Sequence, residues 1–175
     1  MEGVEMFFKA QRTVFDDAKK RLASILKERD YFAADADTLN VISTMSTILA
    51  MPKPYSRIGE LPELVQKVKT AYDSLLDMKR EEVAENIRQC MQDVHQLASE
   101  ARDAGALLRQ ADDHFVNKRE AAKTATSLTE LDAMITQLLN YKDTICRRME
   151  VMSASRQQEA QKPAPAATTK PGTPA

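Results

Sequence analysis

Between Glu63 and Lys162 the chain runs one hundred residues without a proline, while three of its seven prolines crowd into Pro52, Pro54 and Pro62. Proline lacks a backbone N–H and its ring clashes with the preceding helical turn, so this distribution permits long helices and forces a corner at 51–64. Residues before proline are pushed towards extended backbone, which predicts that an upstream helix stops near Met51. Gly59 supplies a permissive turn, and Pro62 sits where the first turn of a new helix does not need its N–H. The other prolines, Pro163, Pro165, Pro171 and Pro174, fall in KPAPAATTKPGTPA, which has no apolar face and reads as a disordered tail or linker over 157–175.

Everything else favours helix. Aromatics make up only 5% of a chain that is 43% hydrophobic and 29% charged, and its commonest side chains are ones that lose little rotamer freedom in a helix. The expected fold class is all-α: helical hairpins, a long coiled-coil-like antiparallel pair, and the tail.

The apolar spacing places the elements. Val4, Phe7, Phe8, Val14, Phe15, Ala18, Leu22, Ile25 and Leu26 form a stripe at helical period over residues 4–30. A shorter helix follows a polar link at 33–37, with Leu39, Ile42, Met45 and Leu49 inward and Asp35 or Asp37 as its cap. These residues and the corner make a first region, 1–60. From 61 to 156 the expectation is one long helix returning through a second. Val83, Ile87, Cys90, Val94, Leu97, Ala101, Ala104, Leu108, Ala111 and Phe115 alternate steps of four and three, a sustained a/d seam. A register shift through Lys79 joins it to Val65, Val68, Tyr72 and Leu75. A single rod over 62–122 would span roughly 90 Å, with Gly105 its weakest point. Ser127-Leu-Thr-Glu130 has the form of a capping box opening the last helix. Its seam is Leu128, Leu131, Ile135, Leu138, Ile145, Met149 and Met152, interrupted at Lys142. Two patterned helices joined by a short link become antiparallel neighbours, so 83–152 reads as a hairpin. The 83–115 seam could close within one chain or between two copies.

Several function classes are disfavoured. A net charge of −1 gives no bulk attraction to nucleic acid or to an anionic membrane. No apolar run is long enough to span a bilayer, and the N-terminus does not read as a secretory signal. Cys90 and Cys146 form no spaced framework and suggest reduced thiols, hence a cytoplasmic protein. Neither a GxxxxGK[ST] phosphate loop nor a GxGxxG turn is present.

Cys90, His95, His114 and Cys146 are the soft metal-ligand candidates, but five positions separate Cys90 from His95 and Cys90 falls in the seam, so buried thiols and surface imidazoles are expected. The acidic groups Glu81-Glu82-Glu85 and Asp112-Asp113 intermix with bases and read as solvated helix faces. Basic clusters at Lys19-Lys20-Arg21, Lys118-Arg119 with Lys123, and Arg147-Arg148 could touch DNA phosphates, yet acids interleave them and no groove-reading motif accompanies them. Met149 and Met152 are expected in the core, or as an adaptable docking surface if the partner helix ends early. No nucleophile, base and orienting group can be assembled, so no catalytic, cofactor or metal residue is assigned and the chain is expected not to be an enzyme by itself.

Three stretches carry a resemblance: Phe7-Phe8-Lys9-Ala10-Gln11-Arg12-Thr13-Val14-Phe15-Asp16; Pro54-Tyr55-Ser56-Arg57-Ile58 with Leu61-Pro62-Glu63-Leu64; and Ala125-Thr126-Ser127-Leu128-Thr129-Glu130-Leu131-Asp132. Over about residues 5–155 the chain resembles the C-terminal helical region of the large P-loop ATPase of BREX phage-resistance systems, the BrxC/PglY family. The resemblance implies a non-catalytic interaction or scaffold segment, a fragment whose partners are other BREX subunits or the rest of the ATPase. ATP and Mg would belong only to a nucleotide-binding module that these residues lack. The alternative expectation is a free-standing coiled-coil adaptor that binds a partner helix, with self-association through the 83–115 seam.

Overall fold

A computed structural model describes residues 2–161, apart from the side chains of Tyr55 and Arg156. Five helices follow in order: α1 (Glu2–Leu26), α2 (Ala36–Leu49), α3 (Leu61–Glu100), α4 (Gly105–Thr124) and α5 (Leu128–Gln161), and no strand occurs among the described residues. The all-α expectation holds. α5 extends through Gln161, so 157–161 are helical where a tail was expected; the rest of that tail, 162–175, lies outside the described residues.

The fold divides into two units, the first running to Val83 and including Thr124–Ala133, the second comprising Ala84–Lys123 and the chain from Met134. In the first, Ala18, Leu22 and Ile25 of α1 meet Ile42, Met45 and Ile48 of α2, with Phe32, Leu61 and Val68 completing the core. α2 begins where Asp35 accepts from the Thr38 backbone N–H at 3.0 Å, satisfying one of the donors a helix start leaves orphaned. Its buried face runs through Thr38, Ile42, Met45 and Ile48, with Leu39 and Leu49 at the margin. The corner consists of two 3-10 turns, Pro54–Ser56 and Ile58–Glu60, and Pro62 is the second residue of α3.

The expected rod over 62–122 is two helices. α3 ends at Glu100, the chain turns through Ala101–Ala104, and the Leu108 N–H donates to the Ala104 carbonyl at 2.8 Å as α4 opens. Asp103 adopts φ 57°, the left-handed region, which Asp tolerates better than most residues. Gly105, expected as the weak point, is instead the first residue of α4. The a/d spacing runs unbroken through the turn because Ala101 and Ala104 are small and buried there, 8% and 2% exposed.

Side-chain pairs give the directions within the second unit. His95 to Asp112 and Met91 to Arg119 run oppositely along α3 and α4, and Lys118 to Gln137 and Gln110 to Tyr141 do so along α4 and α5. This unit is an up-down-up three-helix bundle, so the hairpin expected over 83–152 gains a third limb. Val83, Ile87, Cys90, Val94, Ala111 and Phe115 are at most 1% exposed. Those six side chains are covered within one chain and so are not free for the expected self-association through 83–115, while Leu97 and Leu108 of the same seam stay partly exposed. Lys142, the break in the α5 seam, reaches Asp93 of α3 at 3.4 Å.

Candidate interaction surface

In the first unit the N-terminus of α5 is held by a polar junction. The Glu28 carboxylate accepts from Ser127 Oγ at 2.9 Å, the Leu128 N–H at 3.1 Å and the Tyr72 hydroxyl at 3.1 Å. Ser127 Oγ accepts from the Glu130 N–H at 3.4 Å, so the serine half of the expected capping box forms and Glu28 joins it from α1's C-terminal side. A carboxylate at a helix N-terminus also lies favourably towards the helix dipole. Beside it, Asp132 accepts from the Tyr31 hydroxyl at 2.6 Å and pairs with Lys79 at 2.8 Å, and Lys79 pairs again with Glu82 at 2.9 Å. Arg80 donates to the Ala125 carbonyl at 2.7 Å.

An open hollow of about 420 Å³ beside this junction is lined by Tyr31, Leu75, Met78, Lys79, Glu82 and Leu128. Tyr31 and Lys79 in its lining, with the neighbouring Asp132, are tuned away from proton transfer at neutral pH. The hydrogen bond to Asp132 raises the Tyr31 hydroxyl, and hydrogen bonds to Asp132 and Glu82 raise the Lys79 ammonium. Hydrogen bonds from Lys79 and Tyr31 lower Asp132. Each group is stabilised in the state it already holds near pH 7, which suits a latch and opposes general acid–base work. Glu28 and Tyr31 carry no signal in the sequence, and Asp132 stands out only as the end of a resembling stretch, not as a junction residue. The available signal was local, a capping motif, whereas their partners lie about a hundred positions away in the chain.

The soft-ligand candidates all fall in the second unit, where Cys146 lies near enough to Cys90 to influence its charge while His95 and His114 are engaged elsewhere. Cys90 is buried in the seam and Cys146 is half-buried, and burial pushes both thiols up, away from thiolate reactivity. His95 Nε2 lies 2.8 Å from Asp112 Oδ1 on the surface. His114 stacks on Tyr141 with ring centroids 3.6 Å apart. Among the described residues no group of three or more His, Cys, Asp or Glu is placed to hold a metal ion, and no helix is long and apolar enough to cross a membrane.

The charged clusters are engaged with neighbours. Glu82 pairs with Lys79, Glu85 with Arg88, Asp112 with His95 and Lys123 with Glu120, while Lys118 donates to Gln137. Lys20 and Arg21 share a shallow groove with Asp17, Ser24 and Val65. Arg147 and Arg148 border an open apolar hollow of about 460 Å³ with Leu107, Val151 and Met152. Val151 is 64% exposed, while Met149 is fully buried in the core.

The first unit carries a second apolar surface. Val4, Met6, Phe7 and Phe8 are each more than half exposed, and all residues from Glu2 to Ala10 are exposed. Behind them Phe8, Gln11, Arg12 and Phe15 face Met51, Pro52, Pro54 and Ile58 across a hollow of about 400 Å³. Two of the three stretches that carry the resemblance, on α1 and at the proline corner, thus border one groove. No protein-family model matches the chain, and no solved structure matches it.

Proposed function

We propose that this chain is a non-catalytic helical interaction segment, a scaffold that presents apolar helix faces to other subunits. The observation that carries the reading is a contrast in burial. Most of the long seam is buried inside the chain, yet large apolar side chains stay in water at the α1 end and along α5. Exposed apolar clusters bordered by charge are characteristic of protein docking sites. The sequence resemblance supplies the assembly: a BREX-type phage-defence ATPase, with ATP and Mg handled by a P-loop module and not by any residue here. That assignment and the free Cys90 and Cys146 support a cytoplasmic location.

The test is co-expression of the chain with the P-loop ATPase module and other subunits of a BREX operon. Co-purification is expected, weakened at least tenfold by Val151→Asp with Met152→Asp while the circular dichroism spectrum is unchanged. Absence of any BREX subunit would defeat the assignment to that system. A second reading, a free-standing adaptor that binds one partner helix, is favoured by closure of the 83–115 seam within the chain. It expects a cooperative melt of the isolated protein, because most of that seam is already buried within the chain.

A further inference from the structure

α5 outruns the helix it packs on. Gln110 meets Tyr141 and Lys118 meets Gln137 along the antiparallel α4 and α5, so α4, which starts at Gly105, begins at about the level of Arg147 to Glu150. α5 runs on to Gln161, and beyond Ser153 each of its described side chains is exposed. Where α4 gives out, Leu107 on one wall and Arg147, Arg148, Val151 and Met152 on the other line the open hollow of about 460 Å³. Val151 is 64% exposed there, although Ile145 and Met149 of the same helix are at most 1% exposed.

The charges at the hollow narrow what can fill it. At roughly 100° per residue the four α5 side chains fall within an arc of about 140°, and each arginine stands one turn ahead of an apolar residue, Arg147 of Val151 and Arg148 of Val151 and Met152. Both arginines are exposed. Neither forms an ion pair among the described residues, unlike Arg57, Arg80 and Arg88. No acid lines the hollow, and the first turn of α4 carries none. The nearest acids along α5, Asp143 and Glu150, lie about 40° and 60° beyond Arg147 on the side away from Val151. Two uncompensated cations thus border three apolar side chains, which complements a ligand that is apolar and carboxylate-bearing. Both cations are Arg, whose planar fork grips a carboxylate through two N–H donors where Lys offers a point charge. Concavity favours a helix over a bilayer: side chains of an amphipathic helix enter a groove as anchors, whereas two cations are too few to hold a protein on an anionic membrane.

We infer that the hollow between α4 and α5 docks an acidic amphipathic helix of a partner protein, with large apolar side chains against Leu107, Val151 and Met152 and carboxylates one turn away on Arg147 and Arg148. The inference rests on the interaction reading above and gives the chemistry of the partner at one of its two surfaces. Met152 adapts to the incoming side chain because its thioether chain is unbranched and flexible. The footprint is small, so the complex is weak, in the class of interfaces that bury less than about 1,200 Å². The arginine pairs lie at its rim, where they fix orientation and make binding salt-sensitive.

Fluorescence anisotropy on the full chain tests it with two designed helical peptides of about five turns, which share one leucine stripe and carry either Glu or Lys along its flanks. The wild type is expected to bind the Glu peptide at least tenfold more tightly than the Lys peptide, and 0.5 M salt should erase the preference. Arg147→Glu with Arg148→Glu should invert it, and the gained affinity for the Lys peptide shows that the variant is folded. Val151→Asp with Met152→Asp should weaken the Glu peptide at least tenfold while the circular dichroism spectrum is unchanged. Vesicles of phosphatidylcholine with phosphatidylserine, read by flotation, are expected to leave the wild type unbound. Failure to bind the Glu peptide at millimolar concentration overturns the inference, and so does binding indifferent to the arginine reversal. Flotation with the vesicles that the reversal abolishes would give the surface to lipid and overturn it too. Co-purification of a BREX subunit that is weakened by Val151→Asp with Met152→Asp but untouched by the arginine reversal keeps the interaction reading and rejects the acidic partner, so the two fail separately.

Discussion

Two side chains whose protonation is set by their surroundings make acid stability the sharpest probe at the residue level. His114 Nε2 is buried without a hydrogen-bond partner, and burial, with a smaller contribution from the Lys118 charge, holds the imidazole below its usual range. A base with a lowered folded-state pKa is neutral in the fold while the unfolded chain gains the proton. Its contribution is therefore intact above about pH 6.5 and is lost as pH falls through the folded value. Asp132 has the same sign in a lower window: its stabilisation by Lys79 and Tyr31 is present above about pH 4 and lost as pH falls further. Urea unfolding across pH 3–8 should show both. His114→Phe keeps the stack on Tyr141, removes the orphan nitrogen, and should flatten the loss between pH 7 and 5. Asp132→Asn should cost only about 0.5 kcal/mol at pH 7, because the carboxylate is nearly half exposed and water screens the pair, and progressively less as pH falls below about 4. Neither role was legible beforehand. His114 appeared as a surface imidazole because helical period says which face a residue occupies but not how a ring stacks across helices.

Helix boundaries show where pattern reading succeeds and where it stops. The proline corner, the Asp35 cap and the opening of α5 at Ser127 were all legible, since each depends on residues within a few positions of one another. The α3–α4 turn was not, because hydrophobic spacing is blind to whether a seam continues along one rod or doubles back onto it. The signal that competes with the heptads is chemical: Ser99, Asp103 and Gly105 are turn residues within seven positions. The structure separates the roles of the last two. A Cβ at Gly105 would meet nothing within 4 Å and φ there is not positive, so Gly105→Ala should stabilise by about 0.5 kcal/mol by restricting the unfolded chain. Asp103 holds the left-handed backbone, and Asp103→Val, β-branched in that region, should destabilise by about 1–2 kcal/mol. Thermal melts of the two variants should move in opposite directions. The same shift in both would mean the turn is not where the left-handed residue is needed.

At the scale of the molecule, α3 and α5 each contribute to both units, with boundaries at Val83 and Ala133 inside the helices. The expected division at residue 60 followed the strongest local punctuation, the prolines, but a core is assembled by contacts, and those of α3 up to Val83 lie with α1 and α2. Long helices that pass from one core to another make stability regional without cutting the chain at a linker. Met45 sits fully buried in the first core and Leu138 fully buried in the second, and truncation of either to Ala should cost about 2–5 kcal/mol through lost burial and the cavity left behind. Native-state hydrogen exchange then reports how far each loss spreads. Met45→Ala is expected to lower protection at α1, α2 and the first turns of α3 while amides of Ala111–Ala122 on α4 stay protected, and Leu138→Ala should do the reverse. If both variants lower protection equally in every helix, the two cores unfold as one cooperative body and the division at Val83 has no energetic counterpart. If they separate, a partner that covers the exposed end of α1 would stabilise the first core selectively. Adding that partner should then slow exchange there before it slows exchange in α4.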